Sequence, residues 1–155
     1  DNIGYAIPID IVKRVAQNIL ANAGKAGLQT LSVTKTSTID SYAKENATGI
    51  LEIVETVQIT GDIEAESLAN KLGLQKNDIV VSAVIVRNSE EIETSIIRNE
   101  TFTEQLLDLR AGDYLYYKVK RGTQTLILNE NKQLITALML DYPSADKTLF
   151  NLYFN

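Results

Sequence analysis

The sequence has no cysteine and no histidine, and these two absences narrow its chemistry before any motif is considered. Without cysteine there are no disulfides, no thiol nucleophile and no thiolate metal site; without histidine there is no imidazole base and the commonest metal ligand is missing. A Ser-His-Asp mechanism cannot run on these residues. The lack of cysteine fits a bacterial envelope and a cytosol alike. No apolar run approaches the roughly 20 residues that cross a bilayer as a helix, and Asp1-Asn2 begin nothing like a basic signal peptide. Positive charge is also scarce: 15 Lys and Arg against 20 Asp and Glu give −5, which disfavours a phosphate-tracking nucleic-acid binder.

The chain has 155 residues, 45% of them apolar. That is enough for one core and short for two domains. Ile11, Val12, Val15, Ile19 and Leu20 recur at helical spacing after Pro8, predicting an amphipathic helix that stops at Asn22-Ala23-Gly24. Leu28–Thr36 alternates with Leu31 and Val33 on one face and reads as a strand, and Ile50–Ile59 is a second, more apolar one. Between them Ser37–Asn46 suggests one loose helical turn. Asp62, Glu64 and Glu66 suit a helix start, with Ala65, Leu68, Ala69 and Leu72 as the buried stripe and Gly73 as its end. Ile79–Val86 is an almost continuously apolar central strand. Thr101 and Glu104 fit a capping box before Leu106, Leu107 and Leu109, in a short helix ending near Ala111-Gly112. Tyr114–Lys120 and Thr123–Leu128 flank Arg121-Gly122 as a hairpin. Leu134–Leu140 fits either a strand or a helix. Leu149, Phe150, Leu152, Tyr153 and Phe154 form an apolar end that is expected to pack, on this chain or on another molecule. No internal repeat stands out.

Several patterns resemble sites and are explained more simply. Ser41-Tyr42-Ala43-Lys44 spells S-x-x-K, but the S-D-N and K-T-G that accompany it in penicillin-recognising enzymes are absent. Asp62, Glu64 and Glu66 lack the spacing and the glycine of a calcium loop. Asn46-Ala47-Thr48 and Asn99-Glu100-Thr101 match glycosylation sequons that are frequent by chance. Tyr114, Tyr116 and Tyr117 fit strand alternation as well as a ring platform.

Two stretches together resemble the HtrA/Deg-type trypsin-like proteases. Asn2-Ile3-Gly4-Tyr5-Ala6-Ile7-Pro8 is similar to that family's GIGFAIP, which closes the protease barrel and hands over through a helix to a PDZ domain. Leu72-Gly73-Leu74-Gln75-Lys76-Asn77-Asp78-Ile79-Val80 resembles the PDZ hallmark A-G-L-x-x-G-D-x-I. Leu107-Asp108-Leu109-Arg110-Ala111-Gly112-Asp113, followed by Arg121-Gly122, resembles its closing L-x-x-L-x-x-G-D…R-x-G. The departures are Asn77 in place of Gly, a longer Ile59–Glu66 turn, a longer 87–100 segment and a tail after Leu128 without counterpart.

The resemblance implies an α+β fold: a PDZ-like small, partly open β-barrel of five or six strands with two helices, plus an N-terminal linker helix. Residues 1–8 would be the end of a protease domain, 9–24 the linker helix, 28–128 the PDZ-like domain and 129–155 an extension. It implies a non-catalytic module that recruits peptides or unfolded segments, or regulates the parent serine endopeptidase, in protein quality control at a bacterial envelope or extracellular face. A membrane anchor on the parent would be compatible. An extended or C-terminal peptide would add as a strand beside a helix. The carboxylate loop and pairing strand fall on Thr30, Leu31, Ser32, Val33 and Thr34, with Ser32 where the family has Gly. The opposite wall falls on Thr103, Leu106 and Leu107, and adjacent helix residues such as Leu106 and Leu107 cannot both face a groove. No cofactor, metal or nucleic acid is expected; the partners would be peptide segments and the chain's own protease domain. The alternative is a structural or oligomerisation module with an occluded groove, in which the tail mediates a homo-oligomer.

Overall fold

A computed structural model describes residues 7–21, 33, 35–110 and 112–129. The element order is α1 (Ile9–Ala21), β1 (Thr36–Glu45), β2 (Leu51–Ile59), α2 (Leu68–Lys71), β3 (Ile79–Arg87), β4 (Glu90–Ser95), α3 (Thr101–Glu104) running into a 3-10 turn (Gln105–Asp108), β5 (Tyr114–Arg121) and β6 (Gln124–Ile127). The class is α+β, with one six-stranded antiparallel sheet that does not close on itself.

β3 is the centre because its apolar run suits a strand covered on both faces. β5 pairs along one edge from Ile79 to Val86. The other edge is shared, with β2 at Ile79 and Val80 and β4 from Ser82 to Arg87. Alternation sorts the side chains: Ala83, Ile85, Leu115, Tyr117 and Val119 enter the main core, while Val84, Val86 and Tyr116 form a small cluster on the other face. Phe102, Leu106 and Leu109 cover the main core from the helical segment, with the Phe102 and Tyr117 rings 5.7 Å apart. Burial pushes the Tyr117 phenol pKa far up, and its hydroxyl oxygen accepts from the Gln105 side-chain amide.

Two turns are built alike, and each sits at the foot of a central strand. Before β3, Asp78 N–H donates to Gln75 O (3.2 Å), Gln75 N–H donates to Asp78 Oδ2 (2.9 Å), and Asn77 holds φ at 74°. Before β5, Asp113 N–H donates to Arg110 O (3.1 Å), Arg110 N–H donates to Asp113 Oδ2 (2.7 Å), and Gly112 holds φ at 91°. A positive φ at the third position is the type II requirement, which glycine meets freely and asparagine better than most residues.

Each aspartate is then gripped by the arginine that ends the neighbouring strand. Arg121, ending β5, reaches Asp78 through Nε (2.7 Å) and Nη2 (2.8 Å) and also donates to Gly73 O. Arg87, ending β3, reaches Asp113 through Nε (2.9 Å) and Nη2 (2.7 Å) and also donates to Asp108 O. These bidentate bonds raise both guanidinium pKa values. The two turns correspond to a short shared pattern, Leu-x-Leu-x-x-Asn/Gly-Asp, at Leu72–Asp78 and Leu107–Asp113. The similarity is confined to these two turns and does not make an internal repeat of the chain.

Other expectations are corrected too. Ser37–Asn46 is not a helical turn but most of β1, paired along β2 from Thr36↔Ile59 to Glu45↔Leu51. Its Ser and Thr residues suit a strand, and cross-strand pairing overrides the weak helical spacing of Ile39, Tyr42 and Ala43. Asp62 does not start a helix: α2 begins at Leu68, capped by Ser67, whose Oγ accepts from Asn70 N–H (3.2 Å), while Asp62 pairs with Lys76. Gly73 (φ 80°) ends α2, with Gly73 N–H to Asn70 O and Leu74 N–H to Ala69 O. The Thr101 capping box does not form. Thr101 lies inside the first turn, Glu100 precedes it without a side-chain cap, and the helical segment stops at Asp108 rather than near Gly112. The long 87–100 segment holds β4, joined to β3 by Asn88-Ser89, both at positive φ as a type I′ hairpin needs. The strand assigned to Leu28–Thr36 is described only at Val33, Lys35 and Thr36, and Leu134–Leu140 and Leu149–Phe154 lie outside the described residues.

Asp78→Ala and Asp113→Ala each leave an arginine and a turn N–H without their carboxylate. Each is expected to cost about 2–4 kcal/mol, measured as a lower urea midpoint, and the double variant is expected to fall below the folding threshold.

Candidate functional site

The anticipated site joins a strand edge to a helix. Of the strand residues, Thr30, Leu31, Ser32 and Thr34 lie outside the described residues. Val33 is half-buried, bridges to Ile63 and packs against the main core. β1 begins three residues later, at Thr36. Lys35 O accepts from Thr60 N–H (3.1 Å) and Gly61 N–H (2.9 Å), so Lys35 faces the β2 side. Strand alternation therefore turns the backbone groups of Thr36 and Thr38 to the outer edge. β1 ends the sheet, and no strand among the described residues pairs with that edge.

The structure divides the three helix residues. Thr103 is exposed, and its hydroxyl donates to Glu100 O (3.2 Å). Leu106 is the core member of the adjacent leucine pair, packed within the main cluster. Leu107 is half-buried, and its carbonyl is already occupied, accepting from Asn18 Nδ2 (3.0 Å) and Arg110 Nη1 (3.0 Å). Glu55 connects strand and helix: its Oε2 accepts from the Thr38 hydroxyl (3.0 Å) and from Asn99 N–H (2.9 Å), just before α3.

α1 is fastened to this helical segment by polar contacts that sequence reasoning did not anticipate. Arg14 grips Asp108 with Nε (3.0 Å) and Nη2 (2.8 Å), and Nη2 also donates to Glu104 O (2.6 Å). Asn18 Nδ2 donates to Leu107 O and Leu109 O, and Asn18 is the buried residue of α1. The carbonyls at a helix end lack partners within the helix, and positive charge there is favourable, so Arg14 and Asn18 together complete the end of the segment. The available signal was Asn18 itself, a polar residue within the stripe that also carries Ile11 and Val15. Ile9 and Leu20, on the opposite face, are exposed.

The remaining sequence candidates separate. Ser41 and Lys44 occupy positions of opposite parity on β1 and so point to opposite sheet faces, which removes S-x-x-K as a catalytic pair. Among the described residues no group of acidic side chains is arranged to hold a metal ion. No protein-family model matches the sequence, and no curated protein matches it.

Arg14→Ala removes the bidentate grip while leaving the main core intact. Hydrogen exchange is expected to show α1 amides losing protection by about tenfold or more, with β3 and β5 unchanged; equal loss in both places would mean α1 belongs to the cooperative core.

Proposed function

We propose that the chain is a non-catalytic, PDZ-type peptide-recognition module of an HtrA/Deg-type serine endopeptidase, acting by strand addition. The observation that carries this reading is the outer edge of β1, unpaired by any described strand and beginning three residues after Val33, a position where the family resemblance puts the pairing strand. An extended peptide needs such an edge because its affinity comes from main-chain hydrogen bonds. The fold is compatible with a small, partly open PDZ-like barrel: an α+β chain with an open antiparallel sheet. The two hallmark-like stretches support the reading through their shared turn, since the positive φ at Asn77 and Gly112 is what the family's Gly-Asp requires.

In this reading peptide recruitment is coupled to the protease through the helical segment. The wall opposite the strand consists of Thr103 and Leu107, with Leu106 supporting them from the core. Movement of that wall passes to α1 through Arg14 and Asn18. Exposed Ile9, Val12 and Leu20 give α1 an apolar face for a preceding protease domain. The parent would work in protein quality control at a bacterial envelope.

The test is selection from a random C-terminal peptide library on the purified chain, repeated with amidated peptides. Peptides sharing an apolar terminus are expected, with affinity falling about tenfold or more on amidation as the charge-assisted bonds to the carboxylate are lost. No selection at all would overturn peptide capture.

A further inference from the structure

The distal half of the β1–β2 hairpin leaves the body of the fold. Glu55 N–H donates to Ile97 O (2.8 Å), and beyond that point β2 pairs only with β1 among the described residues. The arm carries exposed Tyr42 (52%), Ile50 (63%), Leu51 (71%) and Ile53 (52%). A two-stranded ribbon is marginal in water, and the edge of this arm, unpaired among the described residues, can take another strand.

The outward backbone groups of the arm can be identified. Asn46 N–H donates to Ile50 O (2.9 Å), so Asn46, Lys44, Tyr42 and Asp40 face β2. Ser41, Ala43 and Glu45 therefore face outward. The Ser41 N–H accordingly has no strand partner among the described residues and donates to the Asp40 carboxylate (2.9 Å). The bulge between Thr38 and Asp40 separates this stretch from the edge at Thr36 and Thr38, so it is distinct from the peptide-binding reading and independent of it.

We propose that the distal β1 edge is a homodimer interface, in which two copies pair antiparallel about a two-fold axis at Tyr42. In that register Ser41 of each copy faces Ala43 of the other, both with outward backbone groups, and each pair exchanges hydrogen bonds. Tyr42 then meets its own copy. Asp40 faces Lys44 on the same sheet face, in the closer type of cross-strand pair with Cα atoms about 4.5 Å apart. Sliding by two places sets Asp40 against Tyr42 or Asn46, and Lys44 against Thr38 or Tyr42; slips that mate outward with inward groups form no ladder. Charge complementarity therefore selects one register. The Asp40 carboxylate, which caps Ser41 N–H in the isolated chain, is released to Lys44 when that N–H gains a carbonyl.

Sedimentation equilibrium of the full chain over a concentration series tests this, with circular dichroism checking that every variant is folded. A dimer is expected. Asp40→Lys or Lys44→Asp alone sets like charges opposite each other and is expected to weaken dimerisation about tenfold or more, and the double exchange is expected to restore it. Ala43→Pro removes an outward N–H while leaving the β2 ladder intact, and is expected to abolish the dimer. A monomer at all concentrations, a dimer indifferent to Ala43→Pro, or a double exchange no better than the single variants would each overturn the interface.

Discussion

Two aspartates that are almost without solvent contact, Asp78 (0%) and Asp113 (2%), hold the centre of this fold together. A buried carboxylate costs several kcal/mol unless its charge and lone pairs are met. Here each is met twice, by a turn N–H three residues earlier and by a bidentate arginine. The arrangement is reciprocal. β3 begins at the turn held by Arg121 from the end of β5, and β5 begins at the turn held by Arg87 from the end of β3. Two antiparallel strands are thus locked at both ends, which fixes their register and the position of everything packed on them. Arginine suits this role because its planar fork matches a carboxylate and leaves a further N–H for Gly73 O or Asp108 O.

The same logic extends outward with diminishing burial. Asp108, whose carbonyl is held by Arg87, uses its side chain to hold Arg14, so α1 is tied to the body through a residue already ordered by the central clasp. The pairing of Lys118 with Glu93, at a more exposed position, adds little to stability but fits β4 to β5 across β3. At the far extreme, among the described residues the β1–β2 arm has neither a buried clasp nor a place in the main core beyond Val57 and Ile59. Its shape rests on the ladder and on the Asn46 side chain, whose Oδ1 accepts from Thr48 and Ile50 N–H in the loop. The proximal edge of β1 beside the helical segment and the distal arm are the two surfaces on which recognition is proposed.

Much of this was legible in residue order. The apolar run Ile79–Val86 announced the central strand because a strand largely buried on both faces reads as a near-continuous apolar run. Gly73 announced the end of α2, and Tyr114–Leu128 announced a hairpin. The errors have separate causes. Ile39, Tyr42 and Ala43 have helical spacing, yet β2 offers a continuous ladder opposite them, and long-range pairing outweighs local preference. Asp62, Glu64 and Glu66 make a good helix start by charge, but Ser67 supplies the cap one residue before the first helical position. The Asn88-Ser89 turn went unread because serine seldom takes a left-handed φ.

What the sequence alone determined is the chemistry that cannot occur and the residues able to bend the chain. No thiol or imidazole chemistry is available, and Asn77 and Gly112 are placed where a turn requires positive φ. Only tertiary structure decided which charges were partners: Arg121 is 43 residues from Asp78, and Arg14 is 94 from Asp108. Ion pairing carries no local periodicity, so separations of this size leave no trace in spacing. The position of β1 at the end of the described sheet is of the same kind, since a strand is an edge only when the sheet has been assembled around it.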